Sequence, residues 1–228
     1  MAAKRVDRKQ LLKEPDEFFT TTGRLINWVK AHPRPVAYGV CAFLVLILAA
    51  AGYRYFDERR SRTASDLLSR TLTSYQQELA KGDTKKAFET VEPDFKRLVS
   101  EYGGQPAGRL GQIYYAHFSA AAQQPDTAIG LYQQALSRFK NDPSLTNVIL
   151  QSLAMAYELK GDAPAAIEHY RKVAQSPNGL HKADALFQLG RLYRQTGDTE
   201  KSREVLEQLN KDFPDSIYAE PAAEMAAG

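Results

Sequence analysis

The side chains in this sequence that are best suited to chemistry are four histidines and a single cysteine. His32, His117, His169 and His181 have no second histidine four residues away, so none forms the helical pair of an HExxH zinc motif. Cys41 is the only cysteine, which excludes an internal disulfide and a thiolate zinc site within one chain. The sequence therefore predicts no bound metal ion and no cofactor.

The carboxylates and glycines form no catalytic motif either. Glu200, Glu204 and Glu207 recur at helical spacing, which indicates a solvated helix face rather than a paired acid and base. The chain contains no GxxxxGK[ST] loop, no GxGxxG turn and no GxSxG elbow. We therefore expect a protein that is not an enzyme and that takes no small-molecule substrate.

The charged residues are divided unevenly along the chain. Residues 1–35 carry eight Lys/Arg against four Asp/Glu, whereas residues 57–228 carry 21 against 23. Phosphate binding requires a dense basic face, and a nearly neutral region of this kind provides none. The charge distribution argues against nucleic acid as a partner.

One segment is apolar enough to cross a membrane. Residues 36–53 read VAYGVCAFLVLILAAAGY without a charge, and a helix of this length spans about 27 Å, close to the hydrocarbon core of a bilayer. Aromatic residues, which favour the interface between membrane and water, continue to Phe56. We therefore expect a single transmembrane helix over residues 36–56. A cleaved signal peptide ending near Ala49-Ala50-Ala51 and a buried core helix are the alternatives.

The residues before this span divide into two parts. Residues 1–14 are rich in charge and poor in apolar groups, which predicts a disordered tail. Residues 15–32 are predicted to form an amphipathic helix with Asp16 as its N-cap, and Phe18 and Trp28 share one of its faces. We expect this helix at the membrane interface, so that residues 15–56 contact lipid; docking on a membrane partner is the alternative.

Beyond residue 57 the sequence is punctuated by Gly-Asp pairs. Gly161-Asp162 and Gly197-Asp198 lie 36 residues apart, and Gly82-Asp83 precedes the first of them by about two such periods. Each glycine can adopt the positive φ that ends a helix, and the residues after it can begin the next. No glycine or proline lies between Tyr53 and Lys81, which predicts a helix that continues from the apolar span into the first repeat.

Aligning the last two pairs brings apolar and small residues into register. Leu153, Ala154 and Tyr157 correspond to Leu189, Gly190 and Tyr193. Small residues here and at Ala166 allow two antiparallel helices to approach closely. The pattern resembles the tetratricopeptide repeat family, whose fold is a stack of helical hairpins.

The resemblance implies an all-α fold, with one N-terminal transmembrane helix followed by an α-solenoid of about four tetratricopeptide-like hairpins over residues 57–228. Hairpin boundaries are expected near Gly104, Asn141 and Asn178, and a capping helix near residues 216–225. The two earlier hairpins match less well: Gln123 to Asp126 replaces a Gly-Asp turn, and Pro93 is expected to kink or break its helix.

In tetratricopeptide folds the first helix of each hairpin lines a groove that binds partners. Carried over by position, the groove residues are Ile113, His117, Val148, Gln151, Met155, Asp184, Phe187, Arg191 and Arg194. Met155 and Phe187 are expected either to contact a peptide or to pack between repeats. Arg191 and Arg194 are expected either to bind a carboxylate or to stay solvated.

Taken whole, a short tail, one span and a repeat domain resemble bacterial inner-membrane proteins of the YfgM-like type, ancillary subunits of the Sec translocon with chaperone-like contacts. This resemblance implies a membrane-anchored adaptor that binds a translocon subunit or an unfolded client; a structural scaffold subunit of a stable envelope complex is the alternative. It also implies a single-pass inner-membrane protein with a periplasmic repeat domain. The arginines that flank the span on both sides do not choose an orientation.

Overall fold

A computed structural model describes residues 17–177 and 181–227 of the protein, with side chains from residue 22 onward. All regular elements in these ranges are α-helices. They are α1 (Glu17–Ala31), α2 (Pro33–Leu79), α3 (Thr84–Tyr102), α4 (Pro106–Ala121), α5 (Pro125–Phe139), α6 (Pro143–Lys160), α7 (Ala163–Ala174), α8 (Lys182–Gln195), α9 (Thr199–Asp212) and α10 (Ala219–Ala227). The chain divides into two compact units between Glu58 and Arg59, within α2.

In the N-terminal unit, α1 forms where the sequence predicts a helix before the apolar span. It ends at Ala31 because Pro33 restricts the backbone of His32, and the ring of His32 stacks on Trp28 at 5.2 Å. The tail over residues 1–14 and the proposed cap at Asp16 lie outside the described residues. The position of α1 at a membrane interface stays a prediction.

The apolar part of α2 is exposed along its whole length. Its side chains include Leu44, Leu46 and Leu48, and the thiol of Cys41 is also exposed. By length and composition this helix can cross a membrane. It runs without interruption to Leu79, as the absence of glycine and proline after Tyr53 predicts.

The C-terminal unit consists of four helical hairpins, in which α2, α4, α6 and α8 are the first helices and α3, α5, α7 and α9 the second. In the first hairpin, buried Leu68 and Tyr75 pack with Phe88 and Phe95 of α3. The breaks around Gly104 and Asn141 agree with the predicted boundaries, whereas Asn178 lies outside the described residues.

The Gly-Asp pairs form the helical turns that the sequence predicts. Gly82, Gly161 and Gly197 adopt positive φ values of 91°, 84° and 87°. Asp162 then caps α7 by accepting a hydrogen bond from the backbone N–H of Ala165 at 3.1 Å, and Asp83 and Asp198 cap α3 and α9 likewise. One dipeptide therefore ends one helix and starts the next.

Small residues permit the close helix contacts that the sequence predicts. A methyl group on Gly190 would lie 2.5 Å from Leu206, so α8 and α9 can approach only because this side chain is absent. Ser202 uses the short distance to donate a hydrogen bond to the carbonyl of Gly190 at 2.7 Å. Ala154 and Ala166 are fully buried at the equivalent contact between α6 and α7.

Pro93 was expected to kink or break its helix, and the helix is not broken. The proline lies inside α3, which continues from Thr84 to Tyr102. Its ring is exposed, so the carbonyl it leaves unbonded can be hydrated. Buried Phe88, Val91, Phe95 and Leu98 hold the helix on both sides of the proline.

The predicted capping helix is present as α10, and it begins three residues later than expected because residues 214–218 form turns. Ala222 of this helix is fully buried with Leu206 and Leu209 of α9. The last hairpin is therefore covered by the C-terminal segment.

Candidate functional site

The first helices of neighbouring hairpins enclose three depressions, which together we call the first-helix groove. The central one, the apolar depression, lies between α4 and α6 and has a volume of about 320 Å³. His117, Ala121, Met155 and Leu159 are its exposed lining residues, and Met155 is 57% exposed. Its other lining residues are Ala120, Tyr132, Ser152 and Ala156. A flexible thioether over a mostly apolar floor can adapt to apolar side chains of different shape.

The second depression, the polar depression, lies between α6 and α8 and has a volume of about 480 Å³. Met155 and Leu159 line both, so the two are continuous. Gln151, Glu158, Tyr170, Asp184, Gln188, Arg191 and Tyr218 complete its lining. The sequence placed Gln151, Met155, Asp184 and Arg191 in one groove, and the structure brings these four together.

Hydrogen bonds join the polar groups of this depression across the two hairpins. Asp184 accepts from the amide of Gln151 on α6 and, at 3.2 Å, from that of Gln188 on its own helix. The hydroxyl of Tyr218 also donates to Asp184. All three partners of this half-buried carboxylate are neutral groups.

The guanidinium of Arg191 is paired with other side chains of this protein. It forms an ion pair with Glu158 on α6, and its Nε donates to the side-chain oxygen of Gln188 at 2.9 Å. Glu158 also accepts a hydrogen bond of 2.8 Å from the buried hydroxyl of Tyr170. Burial and the neighbouring Glu158 carboxylate raise the pKa of Tyr170, so this hydroxyl keeps its proton and remains a donor.

The third depression lies between α2 and α4 and has a volume of about 400 Å³. Leu68, Leu72 and Leu110 line it, and Leu110 is 45% exposed. Because Leu110 and His117 are seven residues apart, they lie on the same face of α4. The α2–α4 depression and the apolar depression therefore lie on the same face of α4.

Two predicted groove residues lie beneath the C-terminal segment. The ring of Phe187 is partly buried and stacks on Tyr218 at 5.3 Å. Phe187 is therefore a packing residue, and it packs against the segment that follows the last hairpin. Arg194 is exposed and donates to the backbone carbonyl of Met225 at 2.9 Å. Both side chains face α10 rather than the depressions on α6.

Ile113 and Val148 are half-buried and are not among the side chains that line the three depressions. Ile113 instead packs against the core of the first two hairpins. Residues that the sequence reasoning missed are Leu110, Glu158, Leu159 and Gln188. Helical spacing from chosen residues would have found Glu158, seven positions after Gln151, and Gln188, four after Asp184.

Among residues 17–177 and 181–227, no group of three or more His, Cys, Asp or Glu side chains is placed to hold a metal ion. The chemistry that the groove offers is therefore that of apolar contact, hydrogen bonding and charge.

Two family models match the sequence. Residues 27–180, more than half of the chain, match the tetratricopeptide repeat-like domain, and residues 184–216 match the tetratricopeptide repeat. No functionally curated protein matches the sequence.

Several solved structures share the fold at low sequence identity. A tetratricopeptide repeat protein from Parabacteroides merdae superposes with a TM-score of 0.54 at 17% identity, over 71% of this chain. That alignment spans only 59% of the Parabacteroides protein. The nearly identical TPR-like repeats of a putative kinesin light chain from Podosopora anserina give 0.54 at 20% identity, over 74% of this chain and 84% of that one. MamA gives 0.52 at 17% identity, over 71% and 81%.

These structures establish the helical-repeat fold, which generally mediates interactions between proteins. The family match over residues 27–180 agrees with the helical hairpins that the structure shows there. The chain belongs to the tetratricopeptide repeat-like domain family.

Proposed function

We propose that this protein is a non-enzymatic, membrane-anchored adaptor that binds protein partners through the first-helix groove. One observation carries the proposal: Leu110, Met155 and Leu159 are exposed apolar side chains that line depressions between the first helices α2, α4 and α6. Scattered apolar residues are normal on a surface, but a cluster in a groove is typical of a binding site. A helix or an extended peptide with apolar side chains fits such a groove.

The membrane assignment is part of the same proposal. Residues 36–56 cross the bacterial inner membrane once, α1 lies at the interface, and residues 15–56 contact lipid. The exposed apolar surface of α2 supports this placement, because side chains such as Leu46 and Leu48 have no protein cover. From the resemblance to YfgM-like proteins, we place the tail in the cytoplasm and residues 57–228 in the periplasm.

The same resemblance suggests the class of partner, which we propose is a translocon subunit or an unfolded client. Tetratricopeptide-like folds typically act as interaction scaffolds without catalysis, which supports a non-enzymatic role. A groove with flexible apolar contacts is suited to clients of varied sequence.

Site-specific photocrosslinking of the full-length protein in intact membranes tests this function. A photoreactive residue at Leu110, His117 or Met155 is expected to capture protein partners. The same residue at Arg171, which is exposed on the second helix α7, is the matched control and is expected to capture few. Adducts with lipid alone, or equal yields from all four positions, would contradict the proposal.

Affinity measurements separate a client-binding adaptor from a fixed scaffold. Met155→Ala is expected to weaken binding of varied partners severalfold while changing the free energy of unfolding by less than about 0.5 kcal/mol, because the side chain is exposed. Phe187→Ala is expected to destabilise the fold by about 1–3 kcal/mol, since it removes the contact with Tyr218. A single stoichiometric partner that is indifferent to Met155→Ala would favour the scaffold.

A further inference from the structure

The charges of the polar depression do not balance. Its ionisable side chains at neutral pH are two carboxylates, Glu158 and Asp184, and one guanidinium, Arg191. Glu158 and Arg191 form an ion pair, and none of the ion pairs among the described residues includes Asp184. The partners of Asp184 are two amides and a phenol, so its negative charge has no counter-ion in this depression.

Two further cations on α6 and α8 are engaged elsewhere. Arg194 donates to the carbonyl of Met225, and Lys160, at the end of α6, forms an ion pair with Asp126 at 2.8 Å. A partner carboxylate would compete for Arg191 with Glu158, which is also held by a hydrogen bond from Tyr170. The wall of the groove on the α8 side is therefore complementary to positive charge, although its two arginines had suggested the opposite.

We infer that the first-helix groove selects partner segments in which an apolar side chain is followed closely by a lysine or arginine. The inference rests on the proposed function and names the class of segment that the groove takes. The apolar side chain occupies the depression around Met155 and Leu159, and the cation lies beside Asp184. A partner with glutamate or aspartate at the second position meets the uncompensated carboxylate and is disfavoured.

Helix geometry sets the spacing between the two contacts. Gln151, which bonds Asp184, precedes Met155 by four residues, a rise of about 6 Å along α6. An extended peptide advances about 3.3 Å per residue, so the cation belongs one or two positions from the apolar residue. Met155 and Leu159 line both depressions, so the two parts of the segment meet at these side chains.

The experiment compares three labelled peptides that differ in one residue. Each has a leucine followed by lysine, glutamine or glutamate in an otherwise identical glycine and serine background, and binding to the full-length protein in lipid nanodiscs is measured by fluorescence anisotropy. The lysine peptide is expected to bind about three- to tenfold more tightly than the glutamate peptide, with the glutamine peptide between them. Raising the salt concentration is expected to reduce this ratio, because screening weakens the charge term alone.

Three variants locate the charge preference. Asp184→Asn is expected to bring the lysine-to-glutamate ratio close to one with little change for the glutamine peptide. Arg191→Gln leaves both carboxylates without a cation and is expected to increase the ratio. Asp212→Asn, the same change at an exposed site on the second helix α9, is the matched control and is expected to leave the ratio unchanged. Circular dichroism of each variant checks that the helices are retained.

The outcomes distinguish this inference from the proposed function. If the three peptides bind equally and Met155→Ala weakens all of them, the groove binds peptides and the charge preference is wrong. Tighter binding of the glutamate peptide, or a ratio that survives Asp184→Asn, also overturns the inference. If no peptide binds, both the inference and the groove function fail.

Discussion

At the scale of single residues, His169 shows how burial shifts the pKa of a side chain for which the sequence indicates no special role. Its imidazole is half-buried on α7 and stacks on Tyr157 of α6 at 5.3 Å. The buried Nδ1 has no hydrogen-bond partner, and the charged neighbours on its own helix are Lys172 and Glu168. Burial, with a further contribution from Lys172, lowers the pKa of His169.

This shift predicts a loss of stability in mild acid. The unfolded chain binds the proton more readily than the folded one, so the contribution of His169 is complete above about pH 6.5 and is lost as the pH falls below that value. His169→Phe keeps a ring on Tyr157 and removes the titration. Urea unfolding in detergent micelles, followed by circular dichroism at pH 7.5 and 5.0, is expected to show a smaller loss for this variant than for the natural protein.

His117→Phe provides the control for this measurement, because the ring of His117 is exposed. This variant is expected to lose as much stability between the two pH values as the natural protein does. An equal loss in the His169→Phe variant would show that burial of this imidazole does not contribute.

At the scale of elements, the turns within the second, third and fourth hairpins share one geometry despite different sequences. In the second hairpin Gln123 has a φ of 61°, the left-handed conformation that Gly161 has in the third. The backbone N–H of Gln124 donates to the carbonyl of Ser119 at 2.8 Å, and that of Asp162 donates to Tyr157 at 2.9 Å in the same arrangement. The second hairpin thus forms the same turn as the third, but with a glutamine in the left-handed conformation that favours glycine.

This comparison predicts opposite effects for two substitutions. Gln123→Gly is expected to raise the free energy of unfolding by about 0.5–1 kcal/mol, because relief of the left-handed strain exceeds the entropy that glycine adds to the unfolded chain. Gly161→Ala is expected to lower it by about 1–2 kcal/mol, because alanine must adopt a φ near 84°. The midpoints of urea unfolding measure both changes. A destabilised Gln123→Gly protein would show that the glutamine stabilises the turn in another way.

At the scale of the whole molecule, the two units differ in how their apolar side chains are covered. In the C-terminal unit three successive cores include helices α2–α6, α6–α8 and α8–α10. Tyr157 packs against the first two cores and Ala174 against the last two. Each hairpin therefore contacts its neighbours, as in other repeat proteins. The apolar side chains of α2 before Glu58 have no such cover.

The proposed orientation predicts the result of limited proteolysis. A protease added outside spheroplasts is expected to cut within residues 59–228, because this unit lies in the periplasm, and to leave the N-terminal tail intact. Detergent-permeabilised spheroplasts are the control, in which both parts become accessible. If the tail is cut while residues 59–228 are protected, the proposed orientation is wrong.

The sequence by itself determined the repeat and most of its helices. Gly161-Asp162 and Gly197-Asp198 act within a few residues, through a positive φ and a side-chain cap, so their effect can be predicted locally. Pro93 was expected to kink or break α3 by the same local rules, and the helix is not broken. Burial of the apolar face on both sides of the proline outweighs that cost, and burial depends on the neighbouring helices.

Only the tertiary structure decided which groove residues are available. Arg191 and Glu158 lie 33 residues apart in sequence, so helical periodicity cannot show that they form an ion pair. Phe187 is covered by Tyr218, which follows the last hairpin, and Asp184 receives only neutral partners. These contacts follow from how successive hairpins stack. The two arginines had indicated a groove that binds carboxylates, whereas the charge that lacks a counter-ion in the folded groove is the negative charge of Asp184.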